Sequence, residues 1–166
     1  MIRNRSNGFA LALALVFAAS TAWAGGEVTI VSPAEYKDGI LVSDAVKAEC
    51  ELPTKVPAFV HEFAEEEDFV VTLADGKVGK KGRVLRVTIE DVLVGGWGGP
   101  KALTISGELR ENGKVIGTIK ARRTSMGGPF GAFKGVCATL GRCAKTLGKD
   151  LAEWLEAPAM DVVKTN

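Results

Sequence analysis

The chain has 166 residues, 25% of them charged, and a formal net charge of +1. Near-neutrality gives it no electrostatic reason to seek nucleic acid or an anionic membrane surface. A single His and three scattered Cys offer no zinc-ligand spacing, so neither a metal nor a cofactor is expected.

Arg3 and Arg5, the apolar run Phe9 to Ala19, and Ala22-Trp23-Ala24 read in order as the basic start, hydrophobic stretch and cleavage site of a secretory signal peptide. The run is too short to span a bilayer and no second one follows. The expected organisation is a signal peptide over residues 1–24 and a single α+β domain over 25–166, periplasmic or secreted. Losing two arginines from 21 basic against 20 acidic residues brings the mature charge to −1. Gly25 and Gly26 follow the cut, where a lipoprotein needs Cys, so no lipid or transmembrane anchor is expected in the mature chain.

Val28-Thr29-Ile30-Val31 reads as a first strand, ended by Ser32-Pro33. Tyr36 to Val42 reads as a loop turning at Asp38-Gly39. Ser43 can cap a short helix from Asp44 toward Cys50, which Pro53 breaks. Thr54 then reads as the N-cap of a second helix with Pro57 in its first turn, and Val56, Phe59, Val60 and Phe63 form its apolar face. Phe69 to Leu73 is the next strand.

The clearest strand follows, with Leu85, Val87 and Ile89 alternating with Arg86, Thr88 and Glu90. Asp91 and Val92 break the alternation, through either a bulge or a strand end buried on both sides. Gly95 to Pro100 predicts a mobile loop. Two further strands form a hairpin. A three-residue Glu111-Asn112-Gly113 loop sets Leu109 opposite Val115, Ile105 opposite Ile119 and Leu103 opposite Ala121, whereas a two-residue turn mixes apolar with charged partners. Met126 to Gly135 is a second Gly-rich loop. A long amphipathic helix runs from Val136 through Leu155, closed by Pro158.

The expected fold class is therefore α+β: a two-layer sandwich with a mainly antiparallel sheet of four to five strands and two main helices on one face. The expected core is Phe59, Phe63, Leu85, Val87, Ile89, Leu103, Ile105, Ile119, Leu147, Leu151 and Trp154. The other sheet face presents Arg86, Thr88, Thr104, Ser106, Glu108, Thr118 and Lys120 to solvent. Of the three cysteines, two should pair in an oxidising compartment. Within one straight helix Cys137 and Cys143 lie about 9 Å apart along the axis, beyond the ~7 Å a disulfide allows. Cys50 then bridges to Cys137 or Cys143. If the helix starts only after Gly141, those two can pair with each other. The odd thiol is read as a buried small hydrophobe.

Lys81-Gly82-Arg83-Val84-Leu85, the hairpin Gly107-Glu108-Leu109 to Gly113-Lys114, Phe133-Lys134-Gly135-Val136-Cys137 and Ala48-Glu49-Cys50 together resemble a family of small, secreted, functionally uncharacterised proteins of Gram-negative bacteria, a domain of unknown function. The resemblance rests on glycines, cysteines and strand patterns. It implies an envelope α+β domain and carries no catalytic residue.

The residues offer little chemistry. His61-Glu62-Phe63-Ala64-Glu65 has Glu65 where a zinc-protease helix needs a second His. No Gly-x-Ser-x-Gly elbow exists to partner His61 in a triad. Glu65-Glu66-Glu67-Asp68 lacks the alternating ligands and Gly of a calcium loop. Gly127 to Gly135 lacks the Gly-Lys-Ser/Thr ending of a phosphate cradle. Trp97, Phe130 and Phe133, carried on Gly-rich stretches, are the candidate partner-contact residues. The expected function is a non-enzymatic periplasmic or secreted module that binds or assembles with an envelope protein. A secreted inhibitor or immunity-type protein is the alternative, and a hydrolase using His61 ranks third.

Overall fold

A computed structural model describes residues 26–96, 99–125 and 135–166. In chain order the elements are β1 (Glu27–Ser32), β2 (Glu35–Tyr36), α1 (Asp44–Cys50), α2 (Leu52–Glu66), β3 (Val70–Asp75), β4 (Arg83–Val94), β5 (Lys101–Glu111), β6 (Lys114–Ser125), α3 (Val136–Glu156) and β7 (Val162–Thr165). They form one seven-stranded sheet in the order β3-β1-β4-β5-β6-β7, with β2 paired to β4. The α+β class holds, but the sheet is larger than expected and mixed. β4-β5-β6 is an antiparallel meander, while β1–β3, β1–β4, β2–β4 and β6–β7 pair in parallel.

The parallel edges follow from connectivity. A helix between two strands carries the chain back to its starting end, so the second strand runs in the same direction. α1 and α2 do this between β1 and β3, and α3 does it between β6 and β7. Val28, Ile30, Leu85, Val87, Ile89, Leu103, Ile105 and Leu109 of the sheet share one buried cluster with Val56, Val60, Leu140, Leu147, Leu151 and Leu155 of the helices. Phe59 and Phe63 are only partly buried; Lys145 of α3 lies over both rings, 5.8 and 5.4 Å from their centroids.

Ser43 caps α1 as expected, its hydroxyl accepting from the Val46 N–H at 3.4 Å. The second helix begins at Leu52, not after Thr54, because Glu51 takes a left-handed turn (φ 51°) that ends one helix and starts the next. Pro57 therefore sits inside α2. Proline has no N–H, so the Pro53 carbonyl loses its helical partner; it accepts instead from the Ala34 N–H at 2.8 Å. That bond ties the β1–β2 link to α2.

The β4 irregularity is a bulge, with the register shifting between Ile89 and Asp91. The hairpin turn corrects the expected register. Glu111 pairs with Lys114 across a two-residue turn, and Asn112 and Gly113 both have positive φ, as a type I′ turn requires. A second bulge at Ile116 then sets Leu109 opposite Gly117, Ile105 opposite Ala121 and Leu103 opposite Arg123.

The disulfide joins Cys50 to Cys137, with a Cα–Cα distance of 4.7 Å and a sequence separation of 87. It fastens the α1/α2 junction to the first turn of α3. Cys143 is free and buried, and burial pushes its thiol pKa up. Arg123 reaches the helix layer to make two hydrogen bonds, 2.7 and 2.6 Å, to Asp150 of α3. The same carboxylate is the main reason Arg123 titrates above its usual value. Lys164 of β7 closes the cluster on Glu153 at 2.9 Å.

Candidate functional site

Faces alternate along a strand, so the side chains opposite the helices line up in rows across β4, β5 and β6. Arg86, Glu108 and Thr118 form one row; Thr88, Ser106 and Lys120 the next; Asp91, Thr104 and Arg122 the third. Glu90 shares this face with Arg86 and Thr88, and the bulge adds Asp91 beside it. The Glu90 carboxylate accepts from Ser106 Oγ and from Lys37 Nζ, both at 2.8 Å. Arg122 donates to Asp91 at 3.3 Å and to Thr104 at 3.4 Å. Thr104 is consequently buried rather than exposed as expected.

β7 forms a wall along this face. The Asp161 N–H donates to Thr118 Oγ1 at 2.8 Å, and that hydroxyl donates to the Asp161 carboxylate at 3.2 Å. Two hollows result, of about 420 and 280 Å³, and both are lined by Lys120 and Val163. Together they make one groove floored by hydroxyls and charges. Lys120 stands where they join and forms no ion pair among the described residues.

The Lys37 hydrogen bond holds the Glu90 carboxyl below the usual carboxylate range, against the opposing pull of burial; the Glu90 side chain is 16% exposed. A carboxylate with a depressed folded pKa contributes stability above its unfolded pKa and loses it as pH falls through the folded one. The stability gap between wild type and Lys37→Met, present at neutral pH, is therefore expected to close as the pH drops below about 4. Urea unfolding at several pH values checks this.

The sequence-predicted contact residues Trp97, Phe130 and Phe133 lie outside the described residues. Their anchors, however, are neighbours. Lys101 pairs with Val94 on one side and Ser125 on the other, so both Gly-rich stretches leave the same end of the sheet, beside the exposed Leu93 and Val94. The first stretch is pinned at its base. Gly95 N–H donates to the Pro100 carbonyl at 2.9 Å, and the buried Lys101 amine donates to Gly99 at 2.8 Å and Gly96 at 3.4 Å.

His61 is remote from the groove. It projects from α2, in the layer on the other side of the sheet, with Nδ1 3.4 Å from Glu65. The acidic run ends α2, and among the described residues no group of three His, Cys, Asp or Glu is placed to hold a metal. No helix among them is long and apolar enough to cross a membrane. Sequence reasoning set Glu90 on the polar face by alternation, but missed Lys37, Asp91, Arg122 and the whole of β7 as parts of it. The broken alternation at Asp91 was the one available signal.

No family model and no curated protein matches the chain. Among solved structures it is similar to a PelC dodecamer from Paraburkholderia phytofirmans (17% identity, 87% of this chain and 93% of that one, TM-score 0.48). It is also similar to a Xanthomonas campestris protein of a domain family, DUF330 (8% identity, 79% and 84%, TM-score 0.47). A minor lipoprotein from Acinetobacter baumannii shows the same degree of likeness (11% identity, 79% and 92%, TM-score 0.45). At these identities and scores the likenesses assign the chain to no family.

Proposed function

We propose that this chain is an exported, non-enzymatic module that binds another envelope protein through the open face of its sheet and the adjoining end that carries both Gly-rich stretches. The observation that carries the reading is the groove: two joined hollows over rows of hydroxyl and charged side chains, walled by β7 and centred on Lys120. A sheet face that serves only solubility has no need of a wall or a bulge that aims a carboxylate into it. The export address in residues 1–24 and the Cys50–Cys137 bridge support an oxidising compartment. Trp97, Phe130 and Phe133 supply aromatic anchors of the kind that dominate protein contacts, on segments rooted beside Leu93 and Val94.

Tagged mature protein, incubated with envelope extract and analysed by quantitative mass spectrometry, tests this. Wild type is expected to retain a protein that Lys120→Glu and Trp97→Ala both lose, while circular dichroism of the variants is unchanged. Recovery of the same proteins by all three, or of none by wild type, contradicts the reading.

A further inference from the structure

A third hollow, of about 180 Å³, lies apart from the groove, between the end of β6 and α3. Two arginines, three hydroxyl side chains, an amide and a thiol line it, and no carboxylate does. Its rim at β6 is held in place. The Thr124 N–H donates to the Asn166 side-chain oxygen at 2.9 Å, and the Asn166 amide donates back to the Thr124 carbonyl at 3.4 Å. The arginines bring more donors than the protein uses. Asp150 takes Nε and Nη2 of Arg123, which fixes that guanidinium and leaves its Nη1 without a partner among the described residues. Arg142 leans from α3 to β6, where its Nη2 meets Ser125 Oγ at 3.5 Å, the long limit of a hydrogen bond. Its Nε and Nη1 have no partner among the described residues.

The charge is not balanced from within the chain either. All 20 Asp and Glu lie among the described residues, and none of them forms an ion pair with Arg142. Asp150 is already shared between Arg123 and Lys164. The Cys143 thiol is buried, and burial raises its pKa, so it stays neutral. A hollow with two guanidinium groups, no carboxylate and unspent donors selects an anion. Guanidinium forks match phosphate oxygens in pairs. Two forks and the Ser125 hydroxyl offer more N–H and O–H groups than the two coplanar oxygens of one carboxylate would face.

We propose that this hollow binds a phosphate group, held by Arg142 and the unused edge of Arg123, with the Ser125 hydroxyl as a further donor. A soluble phosphate compound and a phospholipid headgroup present the same chemistry. The hollow opens at the end of the sheet that exposes Leu93 and Val94, since Ser125 pairs with Lys101 and Lys101 with Val94.

Calorimetric titration of the mature protein with inorganic phosphate, at constant ionic strength in chloride, tests this. Wild type is expected to bind one phosphate. Arg142→Gln should weaken binding about 10–100-fold, the effect of losing charge-assisted hydrogen bonds. Arg86→Gln, at an exposed arginine of the open face that likewise has no ion pair among the described residues, should leave it unchanged. Arg142 is exposed, and unchanged circular dichroism shows that its variant folds. Arg123 is kept, because removing it would orphan the buried Asp150. Sedimentation with vesicles of phosphatidylglycerol and phosphatidylcholine separates the two sources. Pelleting of wild type but not of Arg142→Gln marks a lipid headgroup; phosphate binding without pelleting marks a soluble phosphate compound. No binding of phosphate by wild type up to about 10 mM, whatever the vesicles show, overturns the proposal. Equal weakening by Arg86→Gln and Arg142→Gln does the same.

Discussion

Gly148→Val is expected to destabilise the domain by about 3 kcal/mol or more, while Gly141→Ala, seven residues earlier in the same helix, stabilises it by about 0.5–1 kcal/mol. Both glycines lie inside α3, where glycine is intrinsically poor. At position 148 an added Cβ would stand 2.5 Å from Phe59 Cβ, 2.8 Å from the Phe59 carbonyl carbon and 3.0 Å from the Val60 nitrogen. Two of those three atoms are α2 backbone, so no rotamer change relieves the clash and the helices must separate. Separation would open the cluster that Val56, Val60, Leu147 and Leu151 fill. At position 141 an added Cβ meets nothing within 4 Å, so only the gain in helix propensity remains. Urea unfolding of the two variants measures both; equal effects at the two sites would mean that α2 and α3 do not touch at Gly148.

Breaking the Cys50–Cys137 bridge is expected to cost about 2–5 kcal/mol. The bridge spans 87 positions, and closing a loop of that length in the unfolded chain removes much of its conformational freedom, about 4.6 kcal/mol in the chain-entropy description. The bridge also anchors the start of α3, whose N-cap Gly135 has no side chain to satisfy the first-turn N–H groups. Unfolding curves of Cys50→Ser and of wild type with reductant should coincide with each other and fall well below that of the oxidised wild type. A reduced protein as stable as the oxidised one contradicts this.

What could be read from the residues was a matter of faces rather than partners. Apolar alternation marked the β4 and β5 core residues Leu85, Val87, Ile89, Leu103 and Ile105, all buried. In the β5–β6 hairpin the same alternation required only that apolar residues share a face, which any pairing shifted by two positions satisfies. The structure meets the requirement with a tight turn plus a bulge at Ile116 instead of a longer loop, and hydrophobic pattern cannot distinguish the two. The parallel edges were legible in principle, since β3 follows helices that follow β1. β7 was not: four residues after Pro158, entered through a positive φ at Asp161, carry no periodicity of their own.

The candidate site was legible only in part, for a related reason. Thr88, Ser106, Thr118 and Lys120 could be placed on the open face by strand period. The groove exists because β7 walls that face and the β4 bulge turns Asp91 into it beside Glu90, and both are products of long-range pairing. The helix layer was easier, because Cys50 and Cys137 are brought together by the packing of two long amphipathic segments.

Central to this account is an exported domain held by one disulfide, with its third thiol sealed in the core. Intact-mass and non-reducing peptide analysis of protein made from the full-length gene tests that most directly, with alkylation before and after unfolding. The account requires a chain beginning at Gly25, a linked Cys50–Cys137 peptide, and a Cys143 that is alkylated only once the protein is denatured. A chain retaining Met1 with all three thiols alkylated in the folded state would contradict it.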